Sequence, residues 1–186
     1  MPKYDSFSKR TRRLPGYDYR WEGLYFITIC TKDRLPYFGE VKNGQMDLSD
    51  EGLIAHAYWL ELEDHWPHVF LGEFVVMPNH VHGIVGLEKP VTESAQDVSV
   101  AATDEQAKDS NNAMAALSPK AGSISRIIGS YKAACTNMIK SVSTEPFSWQ
   151  PRFHDRIIRN SRELLLIENY ILSNPANWQE DQFFKE

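Results

Sequence analysis

The chain has 186 residues, 42% hydrophobic and 12% aromatic, which is enough to bury one core and too apolar for a disordered chain. It has no apolar run long enough to cross a membrane and no apolar segment near its start that reads as a secretory signal. Its two cysteines, Cys30 and Cys135, stand at no metal-ligand spacing, so a reduced, cytoplasmic protein without a membrane partner is expected. The formal net charge of −5 argues against a nucleic-acid binder only until the charges are located.

The first element is a basic arm, residues 1–20, with Lys3, Lys9, Arg10, Arg12, Arg13 and Arg20 against Asp5 and Asp18. One domain is expected over residues 21–186. "GLYFITICT" reads as a strand of β-formers. "YFGEVKNGQMDLS" reads as two short strands around an Asn43-Gly44 turn. A helix follows, with Ser49 as N-cap and Leu53, Ile54, Ala57 and Leu60 at helical spacing, ending before Pro67. "VFLGEFVVMPNHVHGIVGL" is a strand region, long or broken at Pro78. Residues 88–122 have no aromatic residue and few large aliphatics, and read as a flexible insertion. A second long helix starts near Ser123, with Ile124, Ile127, Ile128, Cys135, Met138 and Ile139 as its apolar stripe. "FSWQPRFHDRIIRN" reads as partly extended and basic. "SRELLLIENYILSNP" is a third helix, capped by Asn160 or Ser161 and ended by Asn174-Pro175. This order suggests an α+β fold, an antiparallel sheet with helices on one face. The ferredoxin-like arrangement is the commonest such solution.

Two patterns carry chemistry. In a strand, residues two apart point to the same side, so His80 and His82 share one face with Pro78 and Ile84, their Cα atoms roughly 6.5–7 Å apart. Val75, Met77, Val81 and Val85 are expected on the other. Such a pair is either packing or two ligands of one divalent ion, which then needs a third group. On the second long helix, Tyr131 falls in the apolar stripe and reads first as a core tyrosine. If that stripe packs on the histidine face, Tyr131 faces the metal and can attack a polarised phosphate, with Lys132 beside it to hold the phosphate. Arg10, Arg12 and Arg13 in the arm, and Arg152, Arg156 and Arg159 near the C-terminus, are candidates to track a DNA backbone. Trp21, Trp149 and Phe153 can stack bases or fill the core.

"MPNHVHGIV" resembles the HUH signature of single-tyrosine transposases. "GYDYRWEGLYFITICTKDR" resembles their first strand, "ISRIIGSYKAACTNMI" the helix carrying the catalytic tyrosine, and "WQPRFHDRIIRNSRELLLIENYILSNPANW" the C-terminal segment of the REP-associated branch. The resemblance implies a ferredoxin-like fold with the HUH strand central in the sheet. It implies cleavage and rejoining of single-stranded DNA beside hairpins through a 5′-phosphotyrosine link, with Tyr131 as nucleophile. His80 and His82 would hold Mg²⁺ or Mn²⁺, and the protein would act as a monomer or homodimer. In this family a Gln or Asn one helical turn after the tyrosine is the third ligand. Here Cys135 stands there, so Asn137 or His154 is the expected substitute. Tyr170, in the last helix, is the next candidate for the nucleophile but reads as packing. Two other readings are a hairpin-binding protein without cleavage and a metal-dependent hydrolase that attacks with water bound at the histidine pair.

Overall fold

The computed structural model describes residues 22–88 and 122–184. The basic arm with Arg10, Arg12 and Arg13, Trp21, and nearly all of the insertion lie outside the described residues.

β1 (Gly23–Cys30) is flanked by β5 (His80–Leu87) and β6 (His154–Ile158), and β4 (Val69–Met77) pairs with the outer side of β5. All these pairings are antiparallel, and the order is β4-β5-β1-β6, so the histidine strand is interior as expected. β2 (Gly39–Lys42) and β3 (Gln45–Leu48) form a separate hairpin. Its turn works because Asn43 and Gly44 both take the left-handed backbone (φ 52° and 75°) that suits a two-residue hairpin turn.

α1 (Asp50–Leu60) is capped by Ser49, whose hydroxyl accepts from the Gly52 N–H, and a short helix, α2 (Leu62–His65), follows it. The face α1 buries differs from the one its spacing predicts. Gly52, Ala55 and Trp59 are buried, whereas Leu53 and Leu60 stand about half exposed. The reason is Trp59, whose indole lies on Gly83 of the sheet; a methyl group there would meet the ring at 2.2 Å. α3 (Ile124–Val142) buries Ile124, Ile127, Ile128, Tyr131, Cys135 and Ile139, while Met138 is exposed. α4 (Ser161–Ser173) is capped by Asn160, whose side chain accepts from the Glu163 N–H.

The sheet therefore has two differently covered faces. α1 and α3 pack on the face of Tyr25, Ile27, Ile29, Val81 and Val85, building the main core with Trp59, Phe147 and Trp149. α4 lies on the other face, where Ile167 and Ile171 pack with Ile84 and Ile158. The chain reverses at Pro78–Asn79 between β4 and β5, so Met77 pairs with His80 and Val75 with His82. Directly paired residues share a face. Val75 and Met77 thus lie on the histidine side, against the expectation from an unbroken strand, because the hairpin turn resets the alternation.

Candidate metal centre and nucleophile

His80 and His82 are fully buried, with ring centroids 4.4 Å apart. Each has one ring nitrogen committed to the protein. Asn79 donates its amide N–H groups to the carbonyls of Arg34 (3.3 Å) and Phe183 (2.8 Å), which leaves its Oδ1 facing His80 Nδ1 at 2.9 Å. An amide oxygen only accepts, so Nδ1 carries the proton and Nε2 keeps its lone pair. That Nε2 is buried and makes no hydrogen bond. His82 Nδ1 lies 2.9 Å from the Thr28 hydroxyl, its cross-strand partner on β1. Burial pushes the His82 pKa down to about 4, against the pull of the Asp181 carboxylate. Burial also lowers that of His80, helped by His82 and Arg34. Both rings are therefore neutral at pH 7, the form that binds metals.

Three further groups converge. Tyr170 on α4 places its hydroxyl 3.2 Å from His82 Nε2 and donates to Asp181 Oδ2 at 3.0 Å. Asn174, one helical turn after Tyr170 and 2% exposed, donates to the same carboxylate oxygen at 2.8 Å. Its Oδ1 is buried with no hydrogen-bond partner. Ligand atoms of His80, His82 and Asp181 all lie within 4.8 Å of one another. Two orphaned acceptors beside a carboxylate are expensive to bury in an apolar setting and match what a divalent cation requires. Tyr170 is 37% exposed, so its ring reaches the surface while its oxygen reaches the cluster. A polar cavity of about 320 Å³ lined by Tyr170, Asn174, Asn177 and Asp181 opens there. Phe183 lies over both imidazoles, its ring centre 4.6 Å from His80 and 5.7 Å from His82.

The tyrosine helix of the sequence analysis is elsewhere. Tyr131 belongs to the core on the opposite sheet face, edge-on to Trp59 at 5.3 Å, with its hydroxyl donating to the Ala55 carbonyl at 2.9 Å. It is 2% exposed, and burial holds its pKa well above the usual 10. The expectation that its stripe packs on the histidine face is thus corrected: that stripe is long and aliphatic and fills the larger core with Trp59. Cys135 and Asn137 leave the histidine side with it, Cys135 buried and Asn137 exposed. His154 does lie on the histidine face, next to Thr28 on the outer side of β1, but it is exposed and outside the cluster of His80, His82 and Asp181. Lys132 donates to the carbonyls of Gln150 and Arg152, so its ammonium ties α3 to the following loop rather than facing this site. Arg152 and Arg159 are exposed, and Arg156 is exposed and paired with Glu163. Trp149 is a core residue beside Phe38 and Phe147.

Asp181 and Asn174 are what sequence reasoning missed. For Asn174 a signal existed, since "YILSN" places an amide one turn after Tyr170. Asp181 arrives through the chain reversal after α4, which no local spacing encodes.

Fold and site together define an α+β protein with a four-stranded antiparallel sheet and a buried histidine pair facing a surface tyrosine. No described family profile matches the chain. It is 34% identical over 177 residues to an uncharacterized protein of Haemophilus influenzae, covering 95% of this chain and 93% of that one. The chain belongs to the family of that protein. Its fold is similar to a REP-associated tyrosine transposase solved bound to a REP hairpin, with a TM-score of 0.55 and 19% identity over 87% of this chain and 72% of that one. A protein of Deinococcus radiodurans R1, provisionally described as a transposase, aligns at a TM-score of 0.42 and 18% identity over 87% and 96% of the two chains. Among the described residues no helix is long and apolar enough to cross a membrane.

Proposed function

We propose that this protein cleaves and rejoins single-stranded DNA beside hairpins, as the REP-associated branch does, with Tyr170 as the nucleophile. The observation that carries the reading is the position of Tyr170 Oη, 3.2 Å from His82 Nε2, with Asn174 one turn further along the same helix. That is the tyrosine-then-amide spacing of the family, which Tyr131 and Cys135 do not satisfy. The likeness to a transposase bound to a REP hairpin supports the same substrate class.

His80 Nε2, His82 Nε2 and either Asn174 Oδ1 or Asp181 would hold a divalent cation, Mg²⁺ or Mn²⁺. When bound, it would polarise the scissile phosphate and stabilise charge on its oxygens. The remaining work falls to the chain itself. Asn79 fixes the His80 tautomer and Thr28 holds the His82 ring at its Nδ1, so that the imidazoles are oriented in advance. Asp181 Oδ2 accepts the Tyr170 proton as the phenol oxygen attacks phosphorus. The bond from phosphorus to the 3′ oxygen breaks, and that oxygen leaves with a proton from water. A 5′-phosphotyrosine remains, and reversal with another 3′-hydroxyl rejoins strands without an external energy source.

The test is incubation of the full chain with hairpin-flanked single-stranded DNA and Mn²⁺. A covalent protein–DNA adduct should form, survive in Tyr131→Phe and vanish in Tyr170→Phe. A second reading, a hairpin binder without cleavage, is favoured by Asp181 and Phe183 lying against the nucleophile and the imidazoles. Tight, salt-sensitive binding with no adduct in any divalent metal would establish it instead.

A further inference from the structure

The turn that follows β1 brings a cation to this site in an unusual way. Asp33 and Arg34 both have φ 55°, the left-handed region that side chains with a Cβ avoid. Asp tolerates it; for arginine it is a cost that a glycine would not carry. The turn is held by Thr31 Oγ1 donating to the Leu35 carbonyl (2.8 Å) and by the Arg34 N–H donating to the Thr31 carbonyl (3.2 Å). The Asn79 amide, which also fixes His80, donates to the Arg34 carbonyl. Strained backbone persists only where the surrounding structure over-determines it, and such positions cluster at functional sites.

The guanidinium so presented lies on the Phe183 ring, which also packs against His80. Its carbon is 4.8 Å from the centre of the Phe183 ring, and that centre is 4.6 Å from the centre of the His80 ring. One guanidinium nitrogen donates to the Gln182 carbonyl at 2.9 Å. Among the described residues no carboxylate pairs with it, and its other N–H groups make no hydrogen bond. Its charge adds to the lowering of His80. A planar donor fork with spare hydrogens and no paired carboxylate is what a phosphodiester oxygen binds.

We propose that Arg34 is a phosphate-binding residue of this site, donating to a non-bridging oxygen of the scissile phosphate. This rests on the cleavage reading above. It assigns to Arg34 the charge-neutralising role that the candidate ligands, neutral or anionic, do not fill.

The test uses the full chain, hairpin-flanked single-stranded DNA and Mn²⁺ under single-turnover conditions. Arg34→Gln should slow adduct formation about 100-fold, with Mn²⁺ affinity changed less than threefold, and Arg34→Lys should restore part of the rate. The salt dependence of DNA binding should lose about one unit of slope in Arg34→Gln. With a methylphosphonate at the scissile linkage, wild type and Arg34→Gln should bind alike. Arg34→Gly separates binding from folding: it should melt no lower than wild type while cleaving as poorly as the Gln variant, because glycine takes φ 55° freely. An adduct rate in Arg34→Gln within threefold of wild type would overturn the proposal. So would an Arg34→Gly melting temperature well below wild type, which makes the side chain a structural latch on Gln182 and Phe183. If wild type itself forms no adduct in any metal, the cleavage reading fails and this assignment falls with it.

Discussion

Tyr170 and His82, 88 residues apart in sequence, bring a phenol oxygen and an imidazole nitrogen to 3.2 Å on one face of the sheet. Tyr131, the eighth residue of its helix, lies across the sheet with its hydroxyl spent on Ala55. Two tyrosines on two helices thus have separable roles.

Tyr131→Phe should act on stability alone. It removes one buried hydrogen bond, worth about 1 kcal/mol, which in a chain of this size lowers the melting temperature by roughly 2–4 °C. Differential scanning calorimetry reads the lower melting temperature, and the adduct assay should read no change. Loss of the adduct with an unchanged melting temperature would return the nucleophile to Tyr131.

Asn79 holds the turn at Arg34, the Phe183 carbonyl and the His80 tautomer at once. Asn79→Ala should therefore weaken Mn²⁺ binding about 10- to 100-fold without removing a ligand. Titration calorimetry or the paramagnetic resonance of free Mn²⁺ measures it. Affinity equal to wild type would mean that packing alone orients the ring.

Acid should destabilise the fold before its carboxylates titrate. His82 is neutral in the native state down to about pH 4 because it is buried, whereas the unfolded chain takes up that proton near pH 6.5. Below 6.5 the unfolded state binds more protons, so stability falls with falling pH, and the loss is complete near pH 4. The shift corresponds to about 3 kcal/mol from His82, with His80 acting in the same direction. Urea midpoints at pH 7.5, 5.5 and 4.5 should fall in that order, and less so in His82→Asn. A flat profile down to pH 5 would contradict neutral, buried imidazoles.

Two glycines on the histidine strand should respond differently to alanine. At Gly83 a Cβ would lie 2.2 Å from the indole of Trp59, which is completely buried and cannot move aside. At Gly86 it would lie 2.1 Å from the Phe70 ring, which is 39% exposed and free to swing outward. Gly83→Ala should cost about 3 kcal/mol or more and Gly86→Ala about 1 kcal/mol. Equal chemical-denaturation midpoints for the two would show that Trp59 yields as easily as Phe70.

The elements themselves were legible because their causes are local. Ser49 and Asn160 cap helices, Asn43-Gly44 turns a hairpin, and the 3.6-residue spacing of Ile124, Ile127 and Ile128 marks a buried stripe. The histidine pair was legible too, since strand parity alone sets two residues on one side. Which helix lies on that side was not. α3 and α4 are both amphipathic, and either stripe satisfies the same pattern. The face carrying Gly83 receives Trp59 and the bulk of α1 and α3, which leaves the histidine face to α4. That choice puts Tyr131 in the core and Tyr170 at the imidazoles. Sequence by itself determined the strands, the helices and the metal-competent pair. The partners of that pair were left to packing, because Tyr170 and Asp181 meet it across chain distances that no local pattern spans.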